Sequence, residues 1–110
     1  MMADDALAAR IRRQLADRKQ VSEKRMFGGV CFLLNGNMLC GTAKERLMFR
    51  VGKDQDSEAL SRKGASPMNF TGTPMKGFVF VDPERCDARE LKRWIAMAET
   101  YVGALPAKMR

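Results

Sequence analysis

The chain has 110 residues, 45% of them hydrophobic, with 20 Lys and Arg against 13 Asp and Glu, a net charge of +7 and no histidine. That length fits one domain with one core, and the missing histidine excludes His-dependent triads, a His general base and every His-containing metal site. Three cysteines without a CxxC pair form no zinc pattern, and no apolar run approaches membrane-spanning length.

Asp4 and Asp5 suit the start of a helix, where the exposed N–H groups favour negative charge. Leu7, Ile11 and Leu15 follow at i, i+4 and i+8, with Ala8 beside them, which predicts an amphipathic first helix. Arg10, Arg12, Arg13 and Arg18 lie mostly off that stripe, as a solvated face or a face for phosphates. Residues 26–34 and 37–43 read as strands joined by Asn35-Gly36, a dipeptide that favours the two positive φ angles of a type I′ turn. The polar link Lys44-Glu45-Arg46 leads to a third strand, Leu47 to Val51. Asp54 or Asp56 starts a short helix through Leu60 that ends near Gly64. From Gly64 to Gly77 the chain is rich in turn residues, and a short strand is expected around Met68–Thr71 in what should be the most mobile part of the fold. Gly77 to Val81 is a strand stopped by Asp82-Pro83. Asp87 then caps a last helix carrying Leu91, Trp94, Ile95, Ala98 and Val102, which Gly103 and Pro106 end. Nothing marks a domain boundary within 1–110.

With Asn35 and Gly36 as loop residues, paired positions sum to 71, so Leu33 faces Met38 and Cys31 faces Cys40. Two thiols on a non-hydrogen-bonded pair could approach disulfide distance. Two small apolar residues on one sheet face explain them better, since the context holds nothing to stabilise a thiolate. The same register puts Phe27, Cys31, Leu33, Met38 and Cys40 on one side, and Met26, Val30, Phe32, Leu34 and Leu39 on the other. Two terminal helices cover one side. The second side, Met26, Val30, Phe32, Leu34 and Leu39, is then expected to be covered by a second copy of the chain as a homodimer interface.

Gly28-Gly29 is no phosphate loop, because no helix follows it to meet an anion. A bend, a bulge or close approach of another backbone accounts for it. Arg25-Met26-Phe27-Gly28-Gly29, an apolar strand, Asn35-Gly36, a second strand, and then a strand ending in Arg50-Val51 resemble the N-terminal domain of the TfoX (Sxy) competence-regulator family. An extended segment from Phe78 to Pro83 and a helix with Leu91 and Trp94 extend the likeness over roughly residues 5–103. The plain Thr71-Gly72-Thr73-Pro74 stretch departs from that family's aromatic-rich strand. The resemblance implies an α+β two-layer domain of order α-β-β-β-α-β-β-α. Its sheet is mainly antiparallel with helices on one face, similar to secretion-chaperone-like folds, and it is often a dimer. It also implies a stand-alone member without the usual second, helical domain, and it brings no catalytic, cofactor or metal residues.

Three function classes follow. A non-catalytic, cytoplasmic interaction module would act as a homodimer on a protein partner, in transcriptional or competence regulation. A weak, sequence-independent nucleic-acid binder would use Arg10, Arg12, Arg13, Lys24, Arg25 and Arg50, which must then cluster on one face and respond steeply to salt. An enzyme would have to use Cys31 as nucleophile, or Arg50, Lys53 and Glu45 as an anion site, without any paired base.

Overall fold

Polar and apolar residues sort themselves around one open sheet in a computed structural model that describes residues 3–26, 28–69, 72 and 75–108. Helix α1 (Ala3–Gln14) buries Leu7, Ala8 and Ile11, with Leu15 just beyond it, the stripe that the spacing predicts. Strands β1 (Val21–Met26), β2 (Gly29–Leu34), β3 (Asn37–Ala43) and β4 (Arg46–Arg50) follow as an antiparallel meander. Helix α2 (Asp56–Leu60) comes next, then β5 (Ala65–Pro67), β6 (Phe78–Val81) and helix α3 (Ala88–Val102). The strands stand in the order β1-β2-β3-β4-β6-β5. This is the expected α+β architecture, an antiparallel sheet with helices on one face, with one strand more than the sequence suggested.

The extra strand is β1. The sequence predicts a single strand from residue 26, because Val21-Ser22-Glu23-Lys24-Arg25 has no apolar run. As an edge strand with four exposed residues in a row, β1 needs none, and its charges discourage pairing with foreign strands. The other edge, β5, forms at Ala65–Pro67 rather than around Met68–Thr71. Met68 is instead fully buried, while Phe70 and Thr71 lie outside the described residues, as does Phe27. Asp87 caps α3 as expected, its carboxylate accepting the Glu90 N–H at 2.8 Å.

Two glycines hold the start of β2 for different reasons. Gly28 has φ of +77°, which other residues adopt at a cost. A Cβ on Gly29 would stand 2.0 Å from the Thr42 carbonyl oxygen. The Thr42 hydroxyl fills the same crowded spot usefully, accepting the Val30 N–H at 3.2 Å. At the hairpin, Asn35 and Gly36 have φ of 53° and 82°, the pair of positive angles that a type I′ turn requires.

The hairpin register starts as expected, with Leu34 opposite Asn37 and Leu33 opposite Met38. It then slips by one, so that Phe32 faces Cys40 and Cys31 faces Gly41. Leu39 is the extra residue of a bulge. This lets Leu39 and Cys40, neighbours in sequence, both enter the core beneath the helices. The expected Cys31–Cys40 pairing is thereby corrected: the two thiols belong to opposite sides of the sheet.

The face assignment also reverses. Val30, Phe32 and Leu39, expected on an outer interface, are 5%, 1% and 0% exposed under α1 and α3. Leu34 packs against the same cluster. Only Met26 of that group lies on the far side. There Cys31, Ala43, Met48, Met68 and Phe80 form a second cluster, with Met26, Met38, Met75 and Phe78 packed against it. The cover expected from a second copy comes in part from the same chain. The segment after β5 brings Met68 and Met75 onto the sheet, tied by the Met75 N–H to the Met68 carbonyl at 2.8 Å.

Candidate interaction surface

Because Met68 and Met75 pack with the cluster around β4 and β6, the far side of the sheet keeps an open groove over β1, β2 and β3. Its volume is about 590 Å³. Strand alternation supplies its walls. Lys24 pairs with Cys31 and Arg50 with Phe78, both members of the far-side set, so Lys24 and Arg50 stand on that side too. Met26, Leu33 and Met38 make a half-buried apolar floor, and Ser22 and Asn37 add polar rim.

The cations here are held but not neutralised. The Arg50 guanidinium lies 5.6 Å from the Phe78 ring centre and 5.5 Å from that of Tyr101, a cation–π arrangement that leaves its hydrogen-bonding fork free. Among the described residues Arg50 and Lys24 make no ion pair. Lys108 reaches the groove because the chain after α3 is fastened to the hairpin. Its N–H donates to the Asn35 carbonyl at 2.8 Å, and the Asn37 side chain donates to the Pro106 carbonyl at 2.9 Å. Sequence reasoning missed Lys108, since nothing in the residues after Gly103 announces where they return. The one carboxylate at the rim among the described residues, Glu23, is already engaged. Arg12 donates to both its oxygens, at 2.6 and 2.8 Å, from the helix side, and this hydrogen bonding holds the Glu23 carboxyl below the usual carboxylate range.

The six residues proposed for nucleic acid do not share a face. Arg10 donates to the Cys86 carbonyl. Arg12 pairs with Glu23, and Arg25 with Asp5 at 3.6 Å. These three and Arg13 belong to the helix side or its rim, whereas Lys24 and Arg50 face the groove. A second hollow, of about 760 Å³ between α2 and α3, is basic as well. Two of its three arginines, however, meet acids of their own, Arg62 with Glu58 at 3.3 Å and Arg93 with Glu90 at 4.0 Å.

The candidate enzyme groups do not assemble. Cys31 is fully buried, and burial pushes its thiol up to about 11, so it is not a ready thiolate. Glu45 donates its backbone N–H to Asp4 at the β3–β4 turn, at the far end of the strand from Arg50. Among the described residues no three His, Cys, Asp or Glu side chains gather as a metal-binding group, and no helix is long and apolar enough to cross a membrane.

Compared with known families, residues 13–101 match the model of the TfoX N-terminal domain. The match takes in the Met26 to Gly29 stretch, the hairpin, Arg50 and nearly all of α3. No curated protein matches the chain.

Proposed function

The chain belongs to the TfoX N-terminal domain family, and from that premise we propose that it is a cytoplasmic regulatory module without catalytic machinery that works by binding another protein. The family's regulatory, competence-related character supports the general role. A part in transcription is the natural extension of it. The odd number of cysteines, all free and buried, fits a reducing compartment.

One observation carries the protein-binding reading. The groove joins an apolar floor to cations that make no ion pair among the described residues, and methionine and arginine are both enriched at protein interfaces. The homodimer expected from the sequence relied on residues that lie under the helices. Two copies meeting groove to groove would set Lys24 and Arg50 against their own likes, so a different protein is the better partner.

A photo-reactive amino acid placed at Met38, on the groove floor, tests this in cells, with the same group at Arg93 on α3 as a comparison. A polypeptide adduct from position 38 that position 93 does not form is expected. Adducts to nucleic acid alone, or none from either site, would remove the protein-binding reading.

A further inference from the structure

Resting on the protein-binding reading, we propose that the groove receives an extended acidic segment of the partner, one that presents a carboxylate, an apolar side chain and a second carboxylate at positions i, i+2 and i+4. The chemistry follows from what the groove lacks. Lys24, Arg50 and Lys108 line it, while the only carboxylate among its described residues, Glu23, is taken by Arg12. A cation pre-set between two rings offers a planar fork that matches a carboxylate with little loss of freedom.

Spacing sets the pattern. Lys24 is on the first strand of the sheet and Arg50 on the fourth. In the sheet register Lys24 is in line with Met48, two residues before Arg50, so three strand spacings of about 4.8 Å and that offset separate them by roughly 16 Å; an extended chain covers about 13 Å in four residues, and the two long cationic side chains reach across the difference. Side chains at i, i+2 and i+4 of such a segment all point the same way. The middle one then falls on the floor made by Met26, Leu33 and Met38.

A protein segment fits better than a nucleic acid. Bases bind single-strand grooves by stacking on aromatic faces. Here Phe78 lies under Arg50, and Phe80 lies under Arg46 with 5.4 Å from guanidinium to ring centre. The groove floor itself is aliphatic and thioether.

The test is titration of the nitrogen-15-labelled chain with a blocked peptide, Ser-Glu-Ser-Leu-Ser-Glu-Ser, followed by amide shifts. Its Glu→Gln counterpart and an oligothymidylate of about twelve nucleotides serve as competitors. Shifts confined to β1, β2, β3 and Arg50 are expected with the acidic peptide. Arg50→Gln should weaken binding about tenfold, as for loss of a charge-assisted hydrogen bond. Lys24→Gln, fully on the surface, should weaken it in the same direction, and Arg93→Gln should leave it unchanged. Trp94 fluorescence reports that each variant is folded. Equal binding of the Gln peptide, stronger shifts of the same amides with oligothymidylate, or no shift at the groove would overturn the proposal. An adduct at position 38 that survives in the Lys24→Gln/Arg50→Gln double variant would overturn the acidic segment while leaving protein binding in place. Loss of every polypeptide adduct from the unsubstituted chain would instead remove the parent reading.

Discussion

Backbone geometry explains the Gly28-Gly29 pair, a positive φ at Gly28 and close approach to the Thr42 backbone at Gly29. Adding one methyl group at Gly29 sets it against the Thr42 carbonyl, which the sheet holds in place. Gly29→Ala is therefore expected to destabilise the chain by about 1–3 kcal/mol, the usual range for overpacking. Urea unfolding followed through Trp94, the single tryptophan, measures it; an unchanged midpoint would show that the strands part easily there. The thiols make a second prediction at this scale. Burial pushes Cys31 and Cys86 up to about 11 and raises Cys40 as well, against about 8.5 in an unfolded chain. The native state thus keeps its protons where the unfolded chain loses them. The thiols' contribution to stability should be level below about pH 8.5 and fall from there towards pH 11. Alkylation by iodoacetamide near pH 8 should proceed only as fast as the chain opens, and rapid labelling of any thiol in the folded state would contradict the burial. Asn35-Gly36 was legible because a single dipeptide encodes its two positive φ angles. Leu39 was not, because an apolar residue in a strand carries no mark that it is the surplus member of a bulge.

Among the elements, two of the meander's three turns make a contrast. The β2–β3 turn uses residues made for it. The β3–β4 turn places Lys44 and Glu45 at φ of 54° and 62°, where ordinary side chains are strained. Asp4 compensates by accepting the Glu45 N–H at 3.1 Å, which ties α1 to the turn. Glu45→Gly keeps that N–H and relieves the strain, so a gain of about 0.5–1 kcal/mol is expected; calorimetry showing a lower melting temperature would mean the side chain is worth more than its strain. Nothing in Lys-Glu-Arg foretells a left-handed turn. The edge strand β1 was hidden for a related reason: its residues are polar because its position exposes them, and periodicity reads burial, not pairing. The amphipathic helices α1 and α3, buried along one stripe each, were the most legible parts of the chain.

At the scale of the whole molecule, charge is distributed rather than concentrated. Phosphates meeting the groove side would find Lys24, Arg50 and Lys108, not the six cations that the sequence suggests. With three contacts, counterion release predicts that affinity for duplex DNA drops only about 40-fold between roughly 50 and 200 mM salt. A fluorescence anisotropy titration that finds a loss of about 10³ or more would mean that cations from both sides act together on one duplex. The candidate groove was legible only in part, through Lys24, Met26 and Arg50. Its walls depend on which side of the sheet each strand faces, and the bulge at Leu39 changes that from within. The anchoring of Asp4 and Lys108 has a practical corollary for anyone mounting this protein on a surface. Asp4 is fastened at the β3–β4 turn and Lys108 at the β2–β3 turn, so the two residues sit at opposite ends of a seven-residue strand, about 23 Å apart. A sensor chip coupled at Asp4 stands away from the groove, and one coupled at Lys108 plants its linker in the groove wall.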